Sequence, residues 1–170
     1  MKYFAIDVDG VMTDGGFYYT AEGKVMKRFG PDDHDALNLL RDKIEIFFLS
    51  GDRKGFEISK KRIVDHMEYE LHLVSTVKRV DWLKDRVDLS DTIFMGDGIF
   101  DQFVFDKVGY SICTADGFYL CQEKADFVTN SPGGNRAVAE ACMHVLEKFF
   151  SIEGIPNLTG GKNWSGEWQT

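Results

Sequence analysis

Two kinds of block alternate along this chain. Short unbroken apolar runs occupy residues 3–8, 44–49, 70–74, 91–95, 110–113 and 126–128. Runs of this length, without polar alternation, predict strands buried on both faces. Between them, apolar residues recur at helical spacing. Ala36, Leu37, Leu39 and Leu40 form one stripe, with Asp32 or Asp33 able to cap it. Ile58, Ile63 and Val64 mark a helix over 54–67, and Val77, Val80, Leu83 and Val87 mark another. A short helix is expected over 99–108. Ala137, Val138, Ala141, Cys142, Val145, Leu146 and Phe149 stripe the last one. Residues 17–20 and 24–29 are β-prone and flank Ala21-Glu22-Gly23, which predicts a hairpin closed by Gly30-Pro31.

Strands alternating with helices predict an α/β fold. Its mostly parallel central sheet is covered on both faces, in a Rossmann-like three-layer arrangement, with a β-hairpin flap after strand one. The chain has 170 residues, enough for a single domain with a proper core. That domain is expected over 1–150, with a tail over 151–170. The tail reads as a disordered terminus or, because Trp164 and Trp168 are costly to expose, as a segment that docks.

Composition narrows the function classes. Hydrophobic residues make up 44% and charged residues 28%, as in a soluble globular protein. The net charge of −8 gives a nucleic-acid partner no electrostatic help. Cys113, Cys121 and Cys142 lack CxxC spacing and are odd in number, so reduced thiols in a cytoplasmic protein are expected rather than disulfides. The N-terminal apolar run is too short for export or a membrane span.

Folds of this class place their site at the C-terminal ends of the strands. Strand one ends in Asp7 and Asp9, two residues apart and therefore on one side if the strand persists that far. Two adjacent carboxylates need a cation between them, and carboxylates with water suit Mg²⁺. A polar turn would account for Asp9-Gly10, but not for Asp7 inside the apolar run. Strand two ends in Ser50-Gly51 at the start of a helix, where backbone N–H groups can hold phosphate. Lys78 starts the helix after strand three. Strand four ends in Gly96-Asp97, with Asp101 one turn on. Each feature alone suits an ordinary turn or a solvated face. Together, in order at successive strand ends, they make a phosphate site with a metal.

The combination resembles the haloacid dehalogenase superfamily of aspartate-nucleophile phosphatases. Asp7-Val8-Asp9-Gly10-Val11-Met12-Thr13-Asp14 is similar to its first motif, Leu49-Ser50-Gly51 to the second, Lys78 to the third and Gly96-Asp97 with Asp101 to the fourth. The hairpin, the phrase Ala125-Asp126-Phe127-Val128-Thr129 and the stretch from Gly133 to Glu140 resemble its capless branch. The stretches between Asp14 and Ser50, and between Ser50 and Lys78, are used up by the predicted elements and leave no room for a cap domain. The resemblance implies that Asp7 attacks phosphorus and that Asp9 serves as general acid and then base. It implies Mg²⁺ held by Asp7, the Asp9 carbonyl and Asp97, phosphate held by Ser50, Gly51 and Lys78, and Asp101 in support. Asp14 is expected as a loop anchor.

The implied substrate is a 2-keto-3-deoxy sugar-acid phosphate, such as 3-deoxy-D-manno-octulosonate 8-phosphate or a nonulosonate 9-phosphate. A homotetramer is implied, with Phe17, Tyr18 and Tyr19 as contacts. The chain departs from the branch pattern at Gly98, Asp52 and Asp33-His34-Asp35-Ala36, near where the organic part of the substrate would sit. Alternatives are the same chemistry on another small sugar phosphate, on nucleic-acid or protein phosphate, or a non-catalytic oligomerising domain of the same fold.

Overall fold

A computed structural model describes residues 1–155. Its sheet has six strands, all paired in parallel: β1 (Tyr3–Asp7), β4 (Glu45–Ser50), β5 (Glu70–Leu73), β6 (Thr92–Gly96), β7 (Tyr110–Cys113) and β8 (Phe127–Val128). The order across the sheet is β5-β4-β1-β6-β7-β8. The strand that carries Asp7 is thus central, flanked by the two strands whose ends lead to Ser50 and Asp97. The crossovers diverge from β1 to either side, and a crevice opens at that reversal.

The strands are apolar on both faces because both are covered. Phe4, Ile6, Ile46, Phe48, Ile93 and Met95 face one cluster, with Leu37, Leu40, Ile63, Val138 and Leu146. Their neighbours Ala5, Phe47, Leu49 and Phe94 point to the other, with Leu83, Val104, Phe105 and Cys121. This is the period-two alternation of a strand with each parity buried. The first face is covered by α1 (Asp33–Leu40), the helix starting at α2 (Phe56–Lys60) and α6 (Ala137–Phe150); the second by α3 (Arg79–Lys84), α4 (Gln102–Phe105) and α5 (Tyr119–Lys124). Cys113, Cys121 and Cys142 are buried and unpaired.

The hairpin consists of β2 (Tyr18–Thr20) and β3 (Gly23–Met26). It forms a separate two-stranded sheet, with an irregularity between Tyr18 and Tyr19. Phe17, Tyr18 and Tyr19 are exposed on it. Tail residue Ser151 takes φ +55° and ends α6 by donating its N–H to Leu146 O. Trp164 and Trp168, with the rest of the expected tail from residue 156 on, lie outside the described residues. No helix among the described residues is long and apolar enough to cross a membrane.

One helix differs in phase from the sequence reading. Val77 was expected on the buried stripe with Leu83, yet it is 62% exposed. Thr76–Lys78 is a tight 3₁₀ turn and α3 begins only at Arg79. A 3₁₀ turn rotates by about 120° per residue rather than about 100°, so a stripe extrapolated back from Leu83 misplaces this turn. The shift turns Lys78 outward and Arg79 inward.

Candidate active site

β1 ends at Asp7, and the chain then folds tightly over Val8–Met12, with Thr13 donating its N–H to Val8 O at 3.0 Å. Asp9 keeps an extended backbone (φ −82°, ψ 116°), and Gly10 takes φ +86°. A Cβ at Gly10 would lie 2.0 Å from Asp97 Oδ2, so a side chain here would fill the carboxylate's space. The loop is supported from behind by the sequence's Gly133-Gly134. Gly134 N–H donates to Val11 O at 2.9 Å, and a Cβ on Gly133 would meet Gly10 O at 1.9 Å.

Asp7, Asp97 and Asp101 converge across β1 and β6, with one oxygen from each within 4.8 Å of the others. Arg79 lies among them, 1% exposed. Its Nη1 donates to Asp7 Oδ2 and Asp101 Oδ1, both at 2.6 Å, and its Nη2 to Asp7 Oδ1 at 2.8 Å. Asp101 Oδ2 accepts the N–H groups of Gly98 at 2.9 Å and Asp97 at 3.2 Å, which fixes the turn after β6.

Charge is crowded here. Burial, opposed by Arg79 and reinforced by Asp101 and Asp9, pushes the Asp7 carboxyl up to about 7. Burial, with Asp7 and Asp101 alongside, pushes Asp97 up to about 8. Burial disfavours the Arg79 cation, but Asp7 and Asp101 outweigh it and raise its pKa. The one guanidinium among the three carboxylates bonds only Asp7 and Asp101, and buried Asp97 Oδ1 has no hydrogen-bond partner. An oxygen-only donor set with surplus negative charge and an orphaned carboxylate oxygen fits a hard divalent cation such as Mg²⁺.

The other wall is built differently. Ser50, at the end of β4, is fully buried and donates its hydroxyl to Asp9 Oδ2 at 2.9 Å. Asp9 Oδ1 faces Lys27 Nζ at 2.7 Å. Lys27 follows β3 and also reaches Asp52 Oδ2 at 2.9 Å and Ser59 Oγ at 2.8 Å. Lys24, from β3 itself, meets Asp52 Oδ2 at 2.5 Å and stacks over the Phe17 ring at 3.5 Å. Burial acts to raise Asp52, but the two ammonium groups and the Gly55 N–H outweigh it and hold its carboxyl at about 2. A cavity of about 420 Å³ lies between the walls, lined by Asp7, Asp9, Asp52, Arg79, Asp97 and Asp101, with Phe17, Tyr19, Ile99 and Phe100 at its mouth. A larger groove of about 530 Å³ runs along the β5 edge beside Phe56 and Tyr69, away from the carboxylate cluster.

Known proteins share this arrangement of chain. The 3-deoxy-D-manno-octulosonate 8-phosphate phosphatase of Haemophilus influenzae is 29% identical over 153 residues, covering 86% of this chain and 83% of that protein. The solved cobalt-bound deoxy-D-mannose-octulosonate 8-phosphate phosphatase of the same organism is 30% identical with a TM-score of 0.76, over 86% of this chain and 88% of that one. This chain belongs to that phosphatase family, within the haloacid dehalogenase superfamily. The Moraxella catarrhalis 3-deoxy-D-manno-octulosonate 8-phosphate phosphatase, solved with magnesium, phosphate and KDO, is 26% identical with a TM-score of 0.76, over 86% of each chain. No family model matches the sequence.

The phosphatase fold gathers Asp7, Asp9, Gly51, Asp97 and Asp101 around one cavity, with Ser50 bonded to Asp9 behind it. Lys78 is not among them. It is exposed, and its neighbour Arg79 occupies the site, for the helical-phase reason given above. The acidic triad contains Asp101, expected only in support, and the Asp9 carboxylate is engaged elsewhere, by Lys27 and Ser50. Asp14 accepts the Gly16 N–H at 3.0 Å within its own loop. The cations Arg79, Lys24 and Lys27 were missed from sequence. Arg79 beside Lys78 was the available signal, since two adjacent cations at a helix start offer either phase. Nothing local marks Lys24 and Lys27, because lysines on a short hairpin are ordinarily solvated.

Proposed function

We propose that this phosphatase hydrolyses a small sugar-acid phosphate in a Mg²⁺-dependent reaction through an aspartyl-phosphate on Asp7. The single observation that carries this reading is the Asp7, Asp97 and Asp101 cluster around Arg79 at the switch point of the sheet. Asp7, Asp97 and the Asp9 carbonyl would hold Mg²⁺, with Asp101 able to join or orient them. The ion, when bound, offsets charge between the nucleophile and the phosphate and so permits their approach. Asp7 attacks phosphorus, and the leaving alkoxide takes a proton from the Asp9 carboxyl. Asp9 then removes a proton from the water that hydrolyses the intermediate. Arg79, rather than Lys78, supplies the cation that meets the transferring oxygens. The backbone at Gly51 completes the phosphate cradle, with the Ser50 hydroxyl holding Asp9 behind it rather than the phosphate. Phosphoryl transfer asks a protein mainly for positioning and charge neutralisation, and these residues supply both.

On the substrate, the named relatives support 3-deoxy-D-manno-octulosonate 8-phosphate as the first compound to try. The exposed Phe17, Tyr18 and Tyr19 support closure of the mouth by a second copy in a homo-oligomer, as the tetramer implied by the resemblance. Unpaired buried cysteines support a reducing, cytoplasmic setting. Phosphate release across sugar and sugar-acid phosphates, with Mg²⁺ and with EDTA, tests the proposal. It expects Mg²⁺-dependent turnover with the highest kcat/KM on an eight- or nine-carbon sugar acid. Higher kcat/KM on hexose phosphates or nucleotides overturns the substrate class, and full activity in EDTA overturns the metal scheme.

A further inference from the structure

We propose that Lys27 is a positioning residue for Asp9, through which the hairpin controls proton transfer to the leaving group. The proposal rests on the reading of Asp9 as general acid. The Lys27 side chain is fully buried, an environment a lysine occupies only when its charge is paired. Its three partners come from three parts of the chain: Asp9 Oδ1 from the β1 loop, Asp52 Oδ2 from the β4 turn and Ser59 Oγ from α2.

A lysine that only stapled the hairpin to α2 would be satisfied by Asp52 and Ser59. The third contact goes to Asp9 Oδ1 as an ion pair that leaves this oxygen without a hydrogen bond, while Ser50 donates to Oδ2, so both oxygens of that carboxylate face a partner. Asp9 sits on a loop just before Gly10, where the backbone alone gives the side chain little restraint. Lys27 and Ser50 therefore set its direction. The ammonium lies against Oδ1 and the Ser50 hydroxyl against Oδ2, so the carboxylate is held from both sides. Lys24 binds the same Asp52 oxygen, so displacement of the hairpin would move both lysines together and loosen Asp9.

Leaving-group dependence is the test, because a poor leaving group needs the acid and a good one does not. kcat/KM would be measured for wild type, Lys27→Met, Lys27→Arg, Ser59→Ala and Asp9→Asn, on an alkyl phosphate (glycerol 2-phosphate) and on 2,4-dinitrophenyl phosphate. Misplacing a catalytic group by an ångström costs up to about 100-fold, so Lys27→Met should lose roughly 10- to 100-fold more on the alkyl ester than on the aryl ester. Lys27→Arg should recover most of that difference, and Asp9→Asn should show it more strongly. If Asp9→Asn discriminates between the esters but Lys27→Met loses equally on both, Lys27 is structural and the proposal is overturned. If Asp9→Asn itself loses equally on both, the reading of Asp9 as acid fails and takes the proposal with it. Should Lys27→Met not fold, Ser59→Ala, which removes one anchor of the ammonium, decides. A smaller skew in the same direction supports the proposal, and no skew overturns it.

Discussion

The two walls of the cavity reach similar precision by different means. The wall built from β1 and β6 carries its carboxylates on central strands, and the core that packs those strands also places Asp7 and Asp97. Its cost is electrostatic: three clustered acids face a single arginine, which bonds only Asp7 and Asp101. The opposite wall joins the end of β4 to a hairpin with no buried residue in β2 or β3. β2 and β3 form a two-stranded sheet with an exposed aromatic face, and such a ribbon is marginal in isolation. It is located by ion pairs, Lys24 and Lys27 on Asp52 and Lys27 on Asp9. Packing thus fixes Asp7, the residue proposed as the nucleophile, whereas salt bridges fix the residue proposed as the acid. Loss of an ion pair should therefore injure the second wall selectively.

The largest expected effect lies on the first wall, at two adjacent residues. Arg79→Met leaves the buried carboxylates of Asp7 and Asp101 without their cation, beside Asp97. Breaking a buried pair in this way costs about 3–5 kcal/mol. Thermal melts should show the loss, and added Mg²⁺ should restore more of the melting temperature in this variant than in wild type. Its kcat/KM should fall by about 100-fold or more, as for loss of a preorganised donor. Lys78→Ala should stay within about twofold of wild type, because exposed charges contribute little. Equal losses in the two variants would return the catalytic cation to Lys78.

Asp52→Asn should act on the second wall alone. It weakens both lysine contacts while keeping an acceptor for the Gly55 N–H. The expected stability loss is on the order of 1–3 kcal/mol, as for hydrogen bonds to charged groups. Urea denaturation measures it. The kcat/KM loss should be near tenfold, below that of Arg79→Met. Metal affinity should be unchanged, since Asp52 touches none of Asp7, Asp97 and Asp101; isothermal titration with Mg²⁺ checks that. A large fall in metal affinity would show that the two walls are not independent.

The two walls also differ in how readable they were from sequence. Apolar runs ending in Asp7, Ser50 and Gly96-Asp97 disclosed the parallel sheet and three of its strand ends, because a strand buried on both faces has few other ways to be written. The Asp7-Asp9-Gly10 spacing was legible for a related reason: Gly10 is needed where Asp97 approaches. Arg79 was not legible, since a single 3₁₀ turn decides which of two neighbouring cations faces inward. Lys27 was hidden more deeply. Its partners Asp9, Asp52 and Ser59 are distant in sequence, and β3 alone reads as a solvated ribbon.

An effect on stability alone, with none on activity, lies away from both walls and serves as a baseline for them. Asp33 is 1% exposed on α1, and its Oδ1 accepts the Ala139 N–H at the start of α6, at 2.9 Å. Burial, only partly opposed by that N–H, pushes its carboxyl up to about 6 from 3.8. A raised acid pKa means that the fold prefers the neutral form. The stabilisation is full below pH 3.8 and is lost as the pH rises through 6. Asp33→Asn remains neutral, so its melting temperature should gain on wild type between pH 4 and pH 8, by the equivalent of about 1–3 kcal/mol. The variant's kcat should be unaffected. A pH-independent difference in melting temperature would contradict the assignment.

Covalent phosphate on Asp7 tests the central claim most directly. Asp9→Asn enzyme turning over 2,4-dinitrophenyl phosphate in Mg²⁺ needs no acid to form the intermediate but lacks the base to clear it. Acid quenching followed by peptide mass mapping should find a phosphoryl group on the peptide containing Asp7, absent after EDTA treatment and absent when Asp7→Asn is added. Release of dinitrophenol at the wild-type rate with no phosphoryl group on that peptide would contradict the account.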